Sequence, residues 1–189
     1  METKNIMIVG VGGQGTLLTS RILGGIAMQA GYDVKLSEVH GMAQRGGSVV
    51  TFVRYGESVA EPIVEEGCAD VIIAFERLEA KRYAHFLKKD GVMIINDQRI
   101  DPITVVTGAA TYPEGIIEEL QQKNKVFTVN AMEEAKKLGN SKVFNIIVLG
   151  IAAKHMDYTK EQWLNVIENT VPPKTIEINK KAFEVGYEM

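Results

Sequence analysis

Ile6-Met7-Ile8-Val9-Gly10-Val11-Gly12-Gly13-Gln14-Gly15 runs straight into Thr16-Leu17-Leu18-Thr19-Ser20-Arg21-Ile22-Leu23 near the start of the chain. Four apolar residues, a glycine-rich turn and a helix-period segment predict a strand, a loop and a helix start. Gly10, Gly12 and Gly15 stand at the spacing G-x-G-x-x-G. That spacing permits a tight turn, close approach of an anion to the backbone and close packing of helix on strand. Helix-start N–H groups and about half a positive charge of helix dipole favour a phosphate at such a point. The motif fits a Rossmann-like first unit, with a turn kept mainly for packing as the alternative.

Apolar runs and helix-period segments alternate beyond it. Met7 to Val9, Val34 to Leu36, Val49 to Val53, Val71 to Phe75, Val92 to Ile95 and Val126 to Val129 are short and rich in β-branched residues, as buried strands are. Thr16 to Gln29, Arg77 to Lys89 and Glu114 to Lys123 carry apolar residues at helical spacing. This rhythm predicts an α/β fold, a single Rossmann-like three-layer domain over residues 1–189 with a mostly parallel sheet. Strand signals stop near residue 130. Ala131 to Leu138, Lys142 to His155, Lys160 to Glu168 and Lys180 to Tyr187 predict a helical C-terminal third.

The alternation breaks once, after the second strand. Ser37-Glu38-Val39-His40-Gly41-Met42-Ala43-Gln44-Arg45-Gly46-Gly47 is a polar loop bounded by glycines, and Ser48 to Gly56 then reads as a strand. A hairpin-like insertion with antiparallel pairing is expected, its turn at Gly56-Glu57.

Composition narrows the function classes. The chain has 189 residues, a net charge of -3 and one cysteine, Cys68. A pI near 5.7 gives no general drive toward nucleic acid or an acidic membrane surface. The apolar run before Gly10 is far short of the roughly 18 residues that span a bilayer, and no cleavage pattern follows it. A lone cysteine forms no internal disulfide and cannot ligate a zinc or iron–sulfur site by itself. A cytoplasmic chain is expected.

The candidate binding residues are Gly10, Gly12, Gly13, Gln14 and Gly15 in the first loop, and Glu38, His40, Gln44, Arg45, Gly46 and Gly47 in the second. Glu38 stands near the position of the acid that holds the ribose in nicotinamide enzymes, about 20 residues beyond the glycines. Arg45 has the fork geometry for a carboxylate or phosphate, and the glycines admit close backbone approach. A stand-alone NAD- or flavin-binding reductase therefore stays open, as does an interaction scaffold with a solvated loop. Cys68 reads as a small buried hydrophobe, His85 as part of a basic solvated face, and His155 as a helix-end imidazole serving the dipole. Asp97 and Asp101, close to Pro102, read as turn-formers. No catalytic nucleophile elbow, P-loop lysine or metal-ligand spacing is found.

Gly10-Val11-Gly12-Gly13-Gln14-Gly15, the stretch Glu38 to Val49, and Pro172-Pro173-Lys174 with Asn179, Ala182, Phe183 and Gly186 together resemble the γ-domain family of 2-oxoacid:ferredoxin oxidoreductases. The His-Gly-Met-Ala-Gln form of the second motif is similar to the branch acting on indolepyruvate and other aryl pyruvates, where such a chain is the β subunit. The resemblance implies oxidative decarboxylation of a 2-oxoacid to an acyl-CoA with reduction of ferredoxin. It implies an accessory subunit, inactive alone, with thiamine diphosphate, magnesium and 4Fe-4S clusters on a larger partner. Coenzyme A is the candidate ligand here. A self-dimer of the isolated chain stays open.

Overall fold

In the computed structural model, which describes residues 2–41 and 46–189, the opening apolar run is β1 (Lys4–Val11). There follow α1 (Thr16–Gln29), β2 (Asp33–His40), β3 (Ser48–Gly56), β4 (Ala69–Ala74), α2 (Arg77–Tyr83), β5 (Leu87–Asn96), α3 (Ile103–Val106), α4 (Ile116–Lys123), β6 (Lys125–Val129), α5 (Ala131–Lys137), α6 (Phe144–Ala153), α7 (Lys160–Thr170) and α8 (Ile176–Glu188). The six strands form one sheet in the order β2-β3-β1-β4-β5-β6. β1, β4, β5 and β6 pair in parallel. β3 is antiparallel to both β1 and β2, so β2 runs parallel to β1 but one strand removed.

Alternation along β1 divides the interior in two. Ile6 and Ile8 face a layer containing Ile22, Ile147, Trp163 and Phe183, whereas Met7 and Val9 face Phe52, Ile72, Met93, Tyr112 and Leu120. Successive strand side chains point to opposite faces, so a sheet apolar at both parities must be covered twice. The three layers follow.

The helical third is anchored by α6, which is buried at all ten of its positions. A helix that is apolar all round belongs inside a core. α8 lies against it at backbone contact. A Cβ added at Gly186 would stand 1.9 Å from the Ile147 carbonyl oxygen, and one at Gly150 would stand 2.3 Å from that of Phe183. α7 begins with a capping box, in which the Thr159 hydroxyl accepts from Gln162 N–H and the Gln162 side chain accepts from Thr159 N–H.

Several local expectations are corrected. The antiparallel insertion is present, but it is β2 and β3 that pair, with Asp33 opposite Gly56, so Gly56-Glu57 is not its turn. Gly56 instead ends β3 and leads through a loop to parallel β4. The helix expected to reach Lys89 stops at Tyr83, and Leu87 already pairs with Ala69 in β5. A register shift between Ala69 and Val71 brings Gly91 so close to the Ala69 carbonyl that a Cβ would sit 2.8 Å from it. Cys68 is exposed, in the turn before β4, because burial begins one residue later at Ala69. His155 follows the end of α6 through its backbone N–H to Ala152, while burial first, then Lys125 and Lys154, push its imidazole toward the neutral form. The cationic form that would serve the helix dipole is thereby disfavoured, and the ring lies 4.8 Å from that of Phe127. α8 starts four residues before its expected first turn, and the short helix α3 carried no periodic signal.

Candidate functional site

The glycine loop leaves β1 at the carboxyl edge of the parallel strands, where open α/β sheets hold ligands. Its conformation depends on an inward side chain. The Gln14 carboxamide oxygen accepts from Val11 N–H at 2.7 Å, and its amino group donates to the Phe75 carbonyl at 3.1 Å and to Gln98 Oε1 at 3.2 Å. Gln14 is buried, and its polar atoms are spent on the protein. Gly10 leaves room for this tuck, since a Cβ there would meet Gln14 Oε1 at 2.8 Å. Gly15, with φ of +85°, ends the turn against Asn145 of α6, whose amino group donates to its carbonyl at 3.3 Å. Gly12 and Gly13 are exposed to solvent at the tip.

The second loop is tied to the first. Gly12 N–H donates to the Gly47 carbonyl at 3.0 Å, and Gly41 N–H donates to the Ser48 carbonyl at 2.8 Å, closing the neck of the loop. Glu38 reaches back over β3 toward the start of α1. Its Oε2 accepts from Thr51 Oγ1 at 2.7 Å and Thr16 Oγ1 at 3.1 Å, and its Oε1 lies 2.7 Å from His40 Nε2. Gly10 to Gly15, Glu38, His40, Gly46 and Gly47 are thus one continuous patch. Gln44 and Arg45 lie outside the described residues.

This arrangement departs from a dinucleotide site. There the ribose-binding acid ends the strand beside β1, whereas here β3 intervenes and places β2 two strand spacings away, about 10 Å. The Gly47 carbonyl also occupies one of the turn amides with the negative end of a dipole. Thr51 and Thr16 consume the Glu38 oxygen that would face a ribose.

A buried carboxylate supports the patch from beneath. Ser48 Oγ donates to Glu79 Oε2 at 2.5 Å, Tyr83 Oη lies 3.5 Å from the same hydroxyl, and Arg82 lies 3.2 Å from Glu79 Oε1. Burial holds the Glu79 carboxyl above its ordinary range, against the opposing Ser48 hydrogen bond and Arg82 charge, with Glu76 adding to the rise. A folded-state value above the unfolded one means that the native state binds more protons. Stability must therefore fall as pH rises beyond the unfolded value. Urea unfolding at pH 5 and pH 7 is expected to show a smaller decline for Glu79→Gln than for the wild-type chain. An unchanged decline would remove Glu79 as its source.

Three supporting residues escaped sequence reasoning. Asn145 and Glu79 sit in helices, remote in sequence from both loops. Gln98 belongs to the polar run Asn96-Asp97-Gln98-Arg99 directly after a buried strand, which was the available signal. It accepts from Gln14 and Asn96, and its carbonyl accepts from Arg77 N–H at 3.0 Å.

A three-layer α/β fold with an antiparallel strand set beside its first strand, and two glycine loops joined at the carboxyl edge, defines the class of this domain. Solved structures share the fold. The γ subunit of a keto/oxoacid ferredoxin oxidoreductase from Geobacter sulfurreducens superposes with a TM-score of 0.73 at 24% identity, over 98% of this chain and 96% of that one. A 2-oxoglutarate:ferredoxin oxidoreductase from Magnetococcus marinus gives 0.74 at 17% identity, over 100% of this chain and 31% of that longer one. Residues 5–189 match the pyruvate ferredoxin/flavodoxin oxidoreductase family, and the chain belongs to it. Indolepyruvate oxidoreductase subunit IorB of Thermococcus kodakarensis is 44% identical over 193 residues, covering 98% of this chain and 95% of that protein. Its counterpart from Archaeoglobus fulgidus is 45% identical over 188 residues, covering 97% and 93%. The chain is an accessory subunit of a 2-oxoacid:ferredoxin oxidoreductase.

Proposed function

We propose that this chain, as one domain over residues 1–189, serves an indolepyruvate-type oxidoreductase. In the reaction an aryl 2-oxoacid, coenzyme A and oxidised ferredoxin give an acyl-CoA, carbon dioxide and reduced ferredoxin. The observation that carries the substrate class is the near-full-length likeness to indolepyruvate oxidoreductase subunits. A 4Fe-4S cluster takes four thiolates, and this sequence has one cysteine. Thiamine diphosphate, magnesium and the clusters are accordingly assigned to a larger partner chain, through which ferredoxin is reduced. The role left to this chain is to shape the partner's site and to hold substrate.

The patch formed by Gly10, Gly12, Gly13, Gln14, Gly15, Glu38, His40, Gly46 and Gly47, together with Gln44 and Arg45 between them in sequence, is the proposed contact region. The loop after His40 faces the partner's active site, and the exposed tip at Gly12 and Gly13 receives a phosphate-bearing part of coenzyme A. Its inward members, Gln14 and Glu38, shape the loops. The Magnetococcus relative, in which the matching domain is about a third of a longer chain, is described with coenzyme A bound. Among the described residues no helix is long and apolar enough to cross a membrane, which is compatible with a cytoplasmic complex.

Tagged chain recovered from its native cell is expected to bring with it a thiamine-diphosphate and iron–sulfur protein. Repeated failure to recover one would overturn the assignment. Arg45→Ala is expected to reduce that co-purification, because a forked guanidinium at an interface is poorly replaced. In the assembled complex Gly12→Asp, which sets a carboxylate at the loop tip, is expected to weaken coenzyme A binding by about tenfold or more. Unchanged affinity would remove coenzyme A from this loop.

A further inference from the structure

A cavity of about 350 Å³ opens beside β5 and β6, at the same sheet edge as the glycine loop but separated from it by Gln98. Arg77 and Arg99 line it, with Tyr112, Gln121 and Thr128. The two arginines are held differently. Arg77 gives Nε to Asp97 Oδ1, and among the described residues nothing accepts from its two terminal amino groups. Arg99 is braced by Asp101 at 2.6 Å through Nε and 3.3 Å through Nη2, and its guanidinium carbon stands 4.4 Å above the Tyr112 ring. Tyr112 is fixed in turn, its hydroxyl donating to buried Glu76 at 2.5 Å.

We infer that this cavity is an oxyanion site, in which Arg77 presents its free fork and Arg99 its remaining amino group to a phosphate group. A planar guanidinium with both ends unused matches two oxygens of a tetrahedral oxyanion, and a second arginine reaches a third. Of the lining carboxylates, Glu114 and Glu118 are exposed at the rim, where water and salt screen them. Asp97 and Asp101 are the internal competitors, because Asp97 already takes one donor of Arg77 and Asp101 two of Arg99. Two chemically equivalent sources remain: a free small phosphate compound, or the 3′-phosphate of coenzyme A. The site is read from the cavity and its arginines alone, so it stands or falls apart from the coenzyme reading of the glycine loop.

The test titrates the full chain with inorganic phosphate by calorimetry, with chloride at matched ionic strength as control. Saturable binding is expected. Arg77→Ala should weaken it by about tenfold or more, the loss expected for a charge-assisted contact, and Arg77→Lys by less. Asp97→Asn should strengthen it severalfold, because the competing carboxylate is gone. Opposite effects from two neighbouring residues separate a binding role from general loss of structure. Binding indistinguishable from chloride, insensitivity to Arg77→Ala, or weakening by Asp97→Asn would each overturn the inference. A second titration compares coenzyme A with its 3′-dephospho form. A preference for coenzyme A that vanishes in Arg77→Ala would name the coenzyme's 3′-phosphate as the source. Phosphate binding without that preference would name a free phosphate compound.

Discussion

Gly186→Ala is expected to destabilise the chain by about 3 kcal/mol, although alanine is ordinarily the better helix former by about 1 kcal/mol. The sign is decided by backbone proximity. The new Cβ would lie 1.9 Å from the Ile147 carbonyl oxygen and 2.8 Å from the adjoining carbon, neither of which belongs to a side chain that could turn aside. α8 would have to lift from α6, opening the contacts of Phe183 and Ala182 beneath it. At roughly 2–4 °C per kcal/mol for a domain of this size, the melting midpoint should drop by about 6–12 °C. Gly31→Ala is the control. Its φ is +84° but nothing lies within 4 Å of the new atom, so only the dihedral cost of about 1 kcal/mol is expected. Gly150 faces the same interface, and Gly150→Ala combined with Gly186→Ala should cost less than the sum, because the first substitution already separates the helices. Thermal unfolding that left Gly186→Ala level with Gly31→Ala would contradict the close approach.

Gln14→Glu is expected to be the most damaging isosteric change in the glycine loop. The substitution keeps the acceptor for Val11 N–H but turns the donor into an oxygen facing two other oxygens, the Phe75 carbonyl and Gln98 Oε1. An ionised carboxylate there, buried and repelled, should cost about 2–4 kcal/mol at neutral pH. Burial and the neighbouring acceptors would raise its folded pKa above the unfolded value of about 4.3, so the variant should regain stability as pH falls toward that value. Urea unfolding between pH 4.5 and pH 7.5 would show this slope. Its absence would mean that Gln14 does not hold the loop by its amide. The assembled oxidoreductase should lose activity at neutral pH in parallel, since the loop tip and Gly47 are joined through Gly12.

Much of this architecture was legible from residue patterns. Short apolar runs rich in β-branched residues marked all six strands, and glycine spacing located the turn into α1. The position of β3 was harder to read, because hydrophobic pattern reports burial and not partners. A trace of it was present all the same. Ser48–Gly56 is apolar at both parities, as a strand with neighbours on each side requires, whereas Asp33–His40 carries Asp33, Lys35 and Glu38, as a sheet edge does. The helix end at Tyr83 was hidden because Phe86 and Leu87 continued a plausible helical stripe. At the site, residue type identified the donors but not their direction. Gln14 turns inward and Glu38 turns toward Thr16 and Thr51, choices fixed by Phe75 and β3 rather than by their own neighbours in sequence.

The placement of β3 also bears on how the chain acquires this edge. β1, α1, β2 and β3 occupy the first 56 residues, and both pairings of β3 are contained within them. The β2–β3 contact closes a short loop, so its entropic cost is small beside that of the parallel pairings made through β4, β5 and β6. The two glycine loops are therefore wired together by pairings that lie close in sequence, within residues 4–56. The later helices then fasten that unit from behind, through Asn145 against Gly15 and Glu79 against Ser48.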